Sequence, residues 1–200
     1  KATINVYRPF IWIFMLEVLS LFTAYLFATQ PIIRKVKDRF KLDRLQESDL
    51  LSVGVLVGLS LILGLVIGMI SSIQLSVGRE YVPSWVFLAV LASFVLVQLQ
   101  YLLLKHFRVI GMGLAFFMLI SYVYLSSAIG TTATLSGLPA LVKNVNLLSI
   151  LEGQFAGYFD GQTAGIGVFF GLLVFFGLLA VVNIFIPKKY TQTKEIESSL

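Results

Sequence analysis

The chain has no cysteine and a single histidine, His106. Disulfide frameworks, iron–sulfur clusters, thiol catalysis and multi-histidine metal sites are therefore excluded. Charge is scarce as well: Asp, Glu, Lys and Arg make up 12% of the 200 residues, about half the share usual in a soluble domain. The GxxxxGK phosphate loop, the HExxH pair and the GxSxG elbow are all missing. His106 stands in a Lys105–Arg108 turn with no candidate nucleophile beside it. Glu152 and Asp160 fall in an irregular segment, which sets no acid–base geometry. The expectation is a protein that is not an enzyme and uses no cofactor or metal.

What the chain has in abundance is apolar surface, at 58% hydrophobic residues and a mean hydropathy of +0.93. These residues gather in blocks close to bilayer length, so the chain reads as an all-α integral membrane protein. Five spans are predicted: Pro9–Thr29, Leu50–Ile73, Pro83–Leu104, Val109–Ile129 and Thr163–Ile186. Each covers about 30 Å at 1.5 Å per residue. The reading is a five-transmembrane-helix bundle over residues 9–187, preceded by an extracytoplasmic end (1–8) and followed by a cytoplasmic tail (188–200).

The net charge of +5 and the pI near 9.5 raise the question of nucleic acid, and the placement of the charges answers it. Eleven Lys and Arg residues sit in the Arg34–Arg44 connection, the Lys105–Arg108 turn and the tail beginning at Lys188. With Lys1 and Arg8 at the start of the chain left aside, the other face has Arg79 and Lys143. Because basic residues are retained inside, the carboxyl terminus is expected in the cytoplasm and the start of the chain outside. An outside start without a signal-peptide pattern is most simply explained by an earlier span, so the chain is expected to be the carboxyl-terminal part of a longer protein; the alternative is a mature chain that inserts amino-terminus-out unaided. The basic stretch has one aromatic residue, Phe40, which is too little stacking for a nucleic-acid face. Arg34, Lys35, Lys37, Arg39, Lys41 and Arg44 alternate with acidic and apolar residues. They suggest an interfacial cytoplasmic helix touching anionic headgroups or a partner subunit.

Glu17 is the one carboxylate inside a predicted span. A charged residue at mid-helix costs about 2.5–3.5 kcal/mol on insertion scales, which its Ile, Phe and Leu neighbours offset, so it must face protein or water. It is either a proton relay or substrate contact in a transport path, or a hydrogen-bonded carboxyl that pins helix packing through Ser, Thr or Gln elsewhere. The packing reading is preferred. Gly54, Gly58, Gly64 and Gly68 in the second span, and Gly165, Gly167 and Gly171 at the fifth, offer close helix approach. They serve intrachain packing or, as the alternative, a homodimer seam. The apolar Gly130–Gln162 connection suggests two short helices, one from about Leu135 to Val145 and one over Leu147–Phe159. They are expected as a re-entrant or interfacial hairpin at the outer leaflet.

Taken in order, these features resemble a known group. A first span, a basic connection and three further spans lead to SSAIGTT at Ser126–Thr132 and SGLP at Ser136–Pro139. A run with Asn146, Ile150, Gly153, Phe155 and Gly157 then precedes a Gly/Phe-rich span ending in IPKK. This order resembles the carboxyl-terminal membrane domain of the YhgE/Pip/EsaA group, which is related to ABC-2-type export permeases. The resemblance implies a preceding span, a large extracytoplasmic region and an accessory role in type VII protein secretion beside other membrane subunits. Two alternatives follow from it: a permease driven by a separate ATPase docked on Arg34–Asp49, and a membrane anchor for a phage or surface receptor.

Overall fold

The computed structural model describes residues 9–29, 39, 50–125 and 138–186. The helices are α1 (Phe10–Thr29), α2 (Leu50–Gln74), α3 (Val82–Phe107), α4 (Val109–Leu125), α5 (Leu138–Val145), α6 (Leu147–Gly157) and α7 (Ile166–Phe185). A 3-10 turn over Tyr158–Asp160 follows α6, and there is no strand among the described residues.

Four of these, α1, α2, α3 and α7, are long and apolar enough to cross a membrane. The fourth predicted span is the exception. α4 is apolar but has 17 residues, about 25 Å of helix, and the predicted residues 126–129 lie outside the described ones. The described bundle thus has four span-length helices and one shorter helix where five spans are expected. Two boundaries also move. α3 continues to Phe107, so the expected Lys105–Arg108 turn narrows to Arg108, where the chain reverses with φ 50°. α7 begins at Ile166, because Gly165 is still extended.

α3 is the centre of the bundle. Of its apolar window 67% is buried, against 11% for α7, and it packs on α1, α2, α4 and α7. Pro83 in its first turn leaves no unpaired N–H behind. Small residues let neighbours approach: a Cβ on Gly64 would lie 2.5 Å from the Val90 Cα. A Cβ on Gly111 would collide with the Leu103 carbonyl, so glycine there permits the tight α3–α4 reversal.

The core has two layers. Ile13, Leu16, Ile67, Trp85, Leu88 and Leu151 share one, and Leu21, Ala24, Leu56, Val97, Tyr101 and Ala115 the other. Between the layers the numbering rises on α1 and α3 and falls on α2, so α1 and α3 run parallel with α2 antiparallel to both. Aromatic pairs set α7 parallel to α3 as well. Phe87 meets Phe169 with centroids 5.1 Å apart, and Phe94 meets Phe176 at 5.0 Å. The same seven-residue step on both helices keeps one contact face for two turns.

The Arg34–Asp49 connection, expected as an interfacial helix, lies outside the described residues except for Arg39, which is helical and exposed.

Candidate functional site

Three of the buried polar residues, Gln98, Gln100 and Lys105, lie along the last third of α3. Gln98 and Gln100 are both fully buried, and two residues on a helix turn through about 200°. They therefore serve different neighbours. Gln100 Nε2 donates to Glu17 Oε2 of α1 at 3.0 Å, and also to its own Leu96 carbonyl at 3.2 Å. Glu17 is itself fully buried, so the carboxylate predicted to face protein or water lies against protein. Glu17 Oε1 and Gln100 Oε1 have no hydrogen-bond partner among the described residues, nor do the buried hydroxyls of Ser20 and Ser93.

On the other flank, Asn183 Nδ2 of α7 donates to Gln98 Oε1 at 2.9 Å and to the Gln98 carbonyl at 3.1 Å. Two turns further along α3, Lys105 Nζ donates to the Asn183 carbonyl at 2.6 Å and stands 5.5 Å from the centre of the Tyr101 ring. Lys105 is buried, although its place in the sequence suggests a solvated turn. With Leu179, Asn183 is one of the two buried residues of α7. The polar clasp thus joins the Phe87–Phe169 and Phe94–Phe176 pairs in holding that helix to α3.

A third constellation forms at the α5–α6 junction. Asn146 Oδ1 caps α6 by accepting from the Leu148 N–H at 2.9 Å. Its Nδ2 donates to the Met118 carbonyl at 2.9 Å and to Ser121 Oγ at 3.0 Å, both on α4. The other end of α6 is tied to the start of α3: the Tyr158 and Ser84 hydroxyls lie 2.6 Å apart. Trp85 packs edge-on against Phe155 and Tyr158, and its Nε1 donates to Ser71 Oγ of α2 at 2.9 Å. The junction therefore meets α4 nine residues into that helix, about 14 Å from its start.

The expected short helices of the Gly130–Gln162 connection are thus present, over Leu138–Val145 and Leu147–Gly157. The signal for their anchoring was Asn146 ahead of an apolar run, a helix-capping pattern whose α4 partner sequence spacing does not reveal.

The glycines divide. Gly64 and Gly68 abut the α3 backbone at Val90 and Val86, whereas a Cβ on Gly54, Gly58, Gly165, Gly167 or Gly171 meets nothing within 4 Å. Arg34, Lys35, Lys37, Lys41 and Arg44 lie outside the described residues. Among the described residues no three His, Asp or Glu side chains come together as a metal site. An apolar cavity of about 620 Å³ opens between α4, α7 and the two arms of the α5–α6 hairpin, with Leu99 of α3 in its lining. The geometry favours holding helices together; the polar groups pair across helix seams.

A family model described as the EsaA helical domain matches residues 5–184. The chain belongs to the EsaA helical domain family. The match spans every described helix except the final residue of α7, so the α3-centred bundle and its hairpin are the fold of an EsaA helical domain in this chain. The curated proteins and the solved structures show no match to it.

Proposed function

We propose that this EsaA helical domain is the non-enzymatic membrane part of a type VII secretion component. In this reading it anchors an extracytoplasmic region and assembles with other membrane subunits of the export system in the bacterial cell membrane. The observation that carries it is the family match over residues 5–184. The bundle is consistent with it, since Glu17, Gln98, Gln100, Lys105 and Asn183 are used in interhelix hydrogen bonds. That disposition suits a scaffold better than an ABC-2-type permease, which needs a polar path that opens and closes.

Three finer statements belong to the proposal. α4 lies within a fifth membrane span. The basic connection and the Lys188 tail face the cytoplasm, by the excess of Lys and Arg there. The α5–α6 pair is a re-entrant hairpin that enters from the outer side, turns at Asn146 and returns to Tyr158. Its support is the pairing of the Asn146 turn with the middle of α4 and of Tyr158 with the first turn of α3.

Affinity capture of the full-length protein from solubilised membranes tests the functional reading. Recovery of type VII secretion membrane subunits, lost when Lys35, Lys37 and Arg39 are reversed to Glu, supports it. Recovery of a nucleotide-binding subunit through that same stretch turns it toward the permease, and intact secretion in a strain lacking the domain overturns it.

A further inference from the structure

We infer that the groove between α4 and α7 holds one acyl chain of a membrane phospholipid, lying alongside the α5–α6 hairpin. The inference rests on the re-entrant reading of that hairpin. The hairpin reaches the level of Met118 without closing the gap between α4 and α7. Beside its two arms, a space bounded by Leu99, Phe117, Val142, Leu147 and Phe175 is free of the described residues, with a volume of about 620 Å³.

Its chemistry selects the occupant. The polar members of the lining are Ser121 and Asn146, and they are already engaged. Asn146 Nδ2 donates to Ser121 Oγ, Ser121 Oγ donates to the Met118 carbonyl at 3.1 Å, and Asn146 Oδ1 caps α6. No spare polar pair invites water, and an apolar cavity of this kind stays dry unless an apolar ligand enters it. The rim is continuous with the outward apolar faces of two helices, through Phe117, 60% exposed on α4, and Phe175, 38% exposed on α7. In a bilayer the medium at that rim is hydrocarbon. A partner's helix fits less well: it is 10–12 Å wide, and one turn already occupies roughly 400–600 Å³. The groove would hold a single turn of helix, but it suits a flexible run of methylenes entering from the side.

Photolabelling tests this. The full chain is reconstituted in phosphatidylglycerol vesicles doped with a phosphatidylglycerol that carries a diazirine near the methyl end of one acyl chain, and adducts are mapped by peptide mass spectrometry. The expected pattern is enrichment on Phe117 and on Val142–Ile150 over the outer face of α7 at Phe170 and Leu178. Val142→Trp, which fills the groove, lowers tip labelling about tenfold, corresponding to about 1.4 kcal/mol of lost affinity, and leaves Phe170 and Leu178 unchanged. Ile150→Trp serves the same purpose from the other arm. Equal labelling along all outward apolar residues would mean ordinary boundary lipid and overturns the inference. So does undiminished tip labelling in a folded Trp variant, or a crosslink from position 117 or 142 to a partner's helix in native membranes. Should both Trp variants fail to fold, the tip-to-outer-face ratio in the parent chain decides alone. A hairpin tip that reacts with aqueous reagents refutes the re-entrant reading; a shielded tip without lipid adducts refutes only the acyl-chain site.

Discussion

Lys105 reaches from α3 to the last turn of α7 and donates to the Asn183 carbonyl at 2.6 Å. In a continuing helix that carbonyl would accept from the N–H four residues on. That residue is Pro187, which has no N–H. The ammonium supplies the missing donor, and its charge also suits the negative end of the helix. Lys105→Met removes the donor and leaves a buried carbonyl unsatisfied. It is expected to destabilise the domain by about 1.5–3 kcal/mol, the range for a hydrogen bond to a charged group, in reversible unfolding from detergent micelles. Amide exchange at Ile184 and Phe185 rises with it, and Lys105→Arg recovers part of the loss. A Met variant as stable as the parent would show that the clasp does not hold α7.

The pair Glu17–Gln100 separates a packing role from a relay role. Glu17→Gln keeps shape and hydrogen-bonding capacity, so it is expected to fold and to support secretion at the parent level. Gln100→Leu leaves a buried carboxyl without its partner. It should destabilise by about 0.6–1.7 kcal/mol, from the average to the maximum of interhelical hydrogen-bond energies measured in a membrane protein. A double-mutant cycle on the two positions reads the coupling directly. Loss of secretion in a stably folded Glu17→Gln variant would return the carboxylate to the relay reading.

Glycine substitutions distinguish the intrachain seam from outward positions. Gly64→Val places a Cβ 2.5 Å from the Val90 backbone, which no rotamer relieves, whereas Gly171→Val meets nothing within 4 Å. The first is expected to cost more than about 2 kcal/mol or to prevent folding, in line with overpacking costs of about 1–3 kcal/mol. The second leaves stability within about 0.5 kcal/mol of the parent. If Gly171→Val keeps the fold but abolishes crosslinking between copies of the chain, its face is a homodimer seam.

These contrasts show what the sequence could and could not reveal. Span positions were legible because a bilayer demands uninterrupted apolar runs, and α1, α2, α3 and α7 begin and end within three residues of their predicted limits. Glu17 was legible as an exception within such a run. Its partner was not, because Gln98 and Gln100 are equally plausible from spacing, and helix phase decides which faces α1 and which faces α7. Gly58 and Gly64 read alike for the same reason, yet one faces open space and the other the α3 backbone. Lys105 was misplaced in a turn because a basic residue after an apolar run ordinarily marks the interface. Asn146 was legible as part of the family resemblance, while its grip on Met118 and Ser121 is a tertiary contact without a local pattern.

The depth of the α5–α6 hairpin can be settled with a reagent the protein itself makes convenient. With no native cysteine, each single-Cys variant reports one position against a silent background. Val145 at the tip is 70% exposed on the protein surface, so an interfacial hairpin would leave Val145→Cys open to a membrane-impermeant maleimide. A re-entrant one buries it in hydrocarbon, where the thiol stays unlabelled in sealed vesicles and becomes reactive once detergent replaces the bilayer. Gly78→Cys, in the α2–α3 link, should label from outside intact cells; Arg108→Cys should label only after permeabilisation. Asn146→Ala removes the α6 cap and both α4 hydrogen bonds. It is expected to cost about 1–2 kcal/mol, the range for a lost cap and an unmet polar partner, and to raise Val145→Cys labelling in sealed vesicles as the tip loosens. Rapid labelling of Val145→Cys in the otherwise unaltered chain would place the hairpin on the membrane surface.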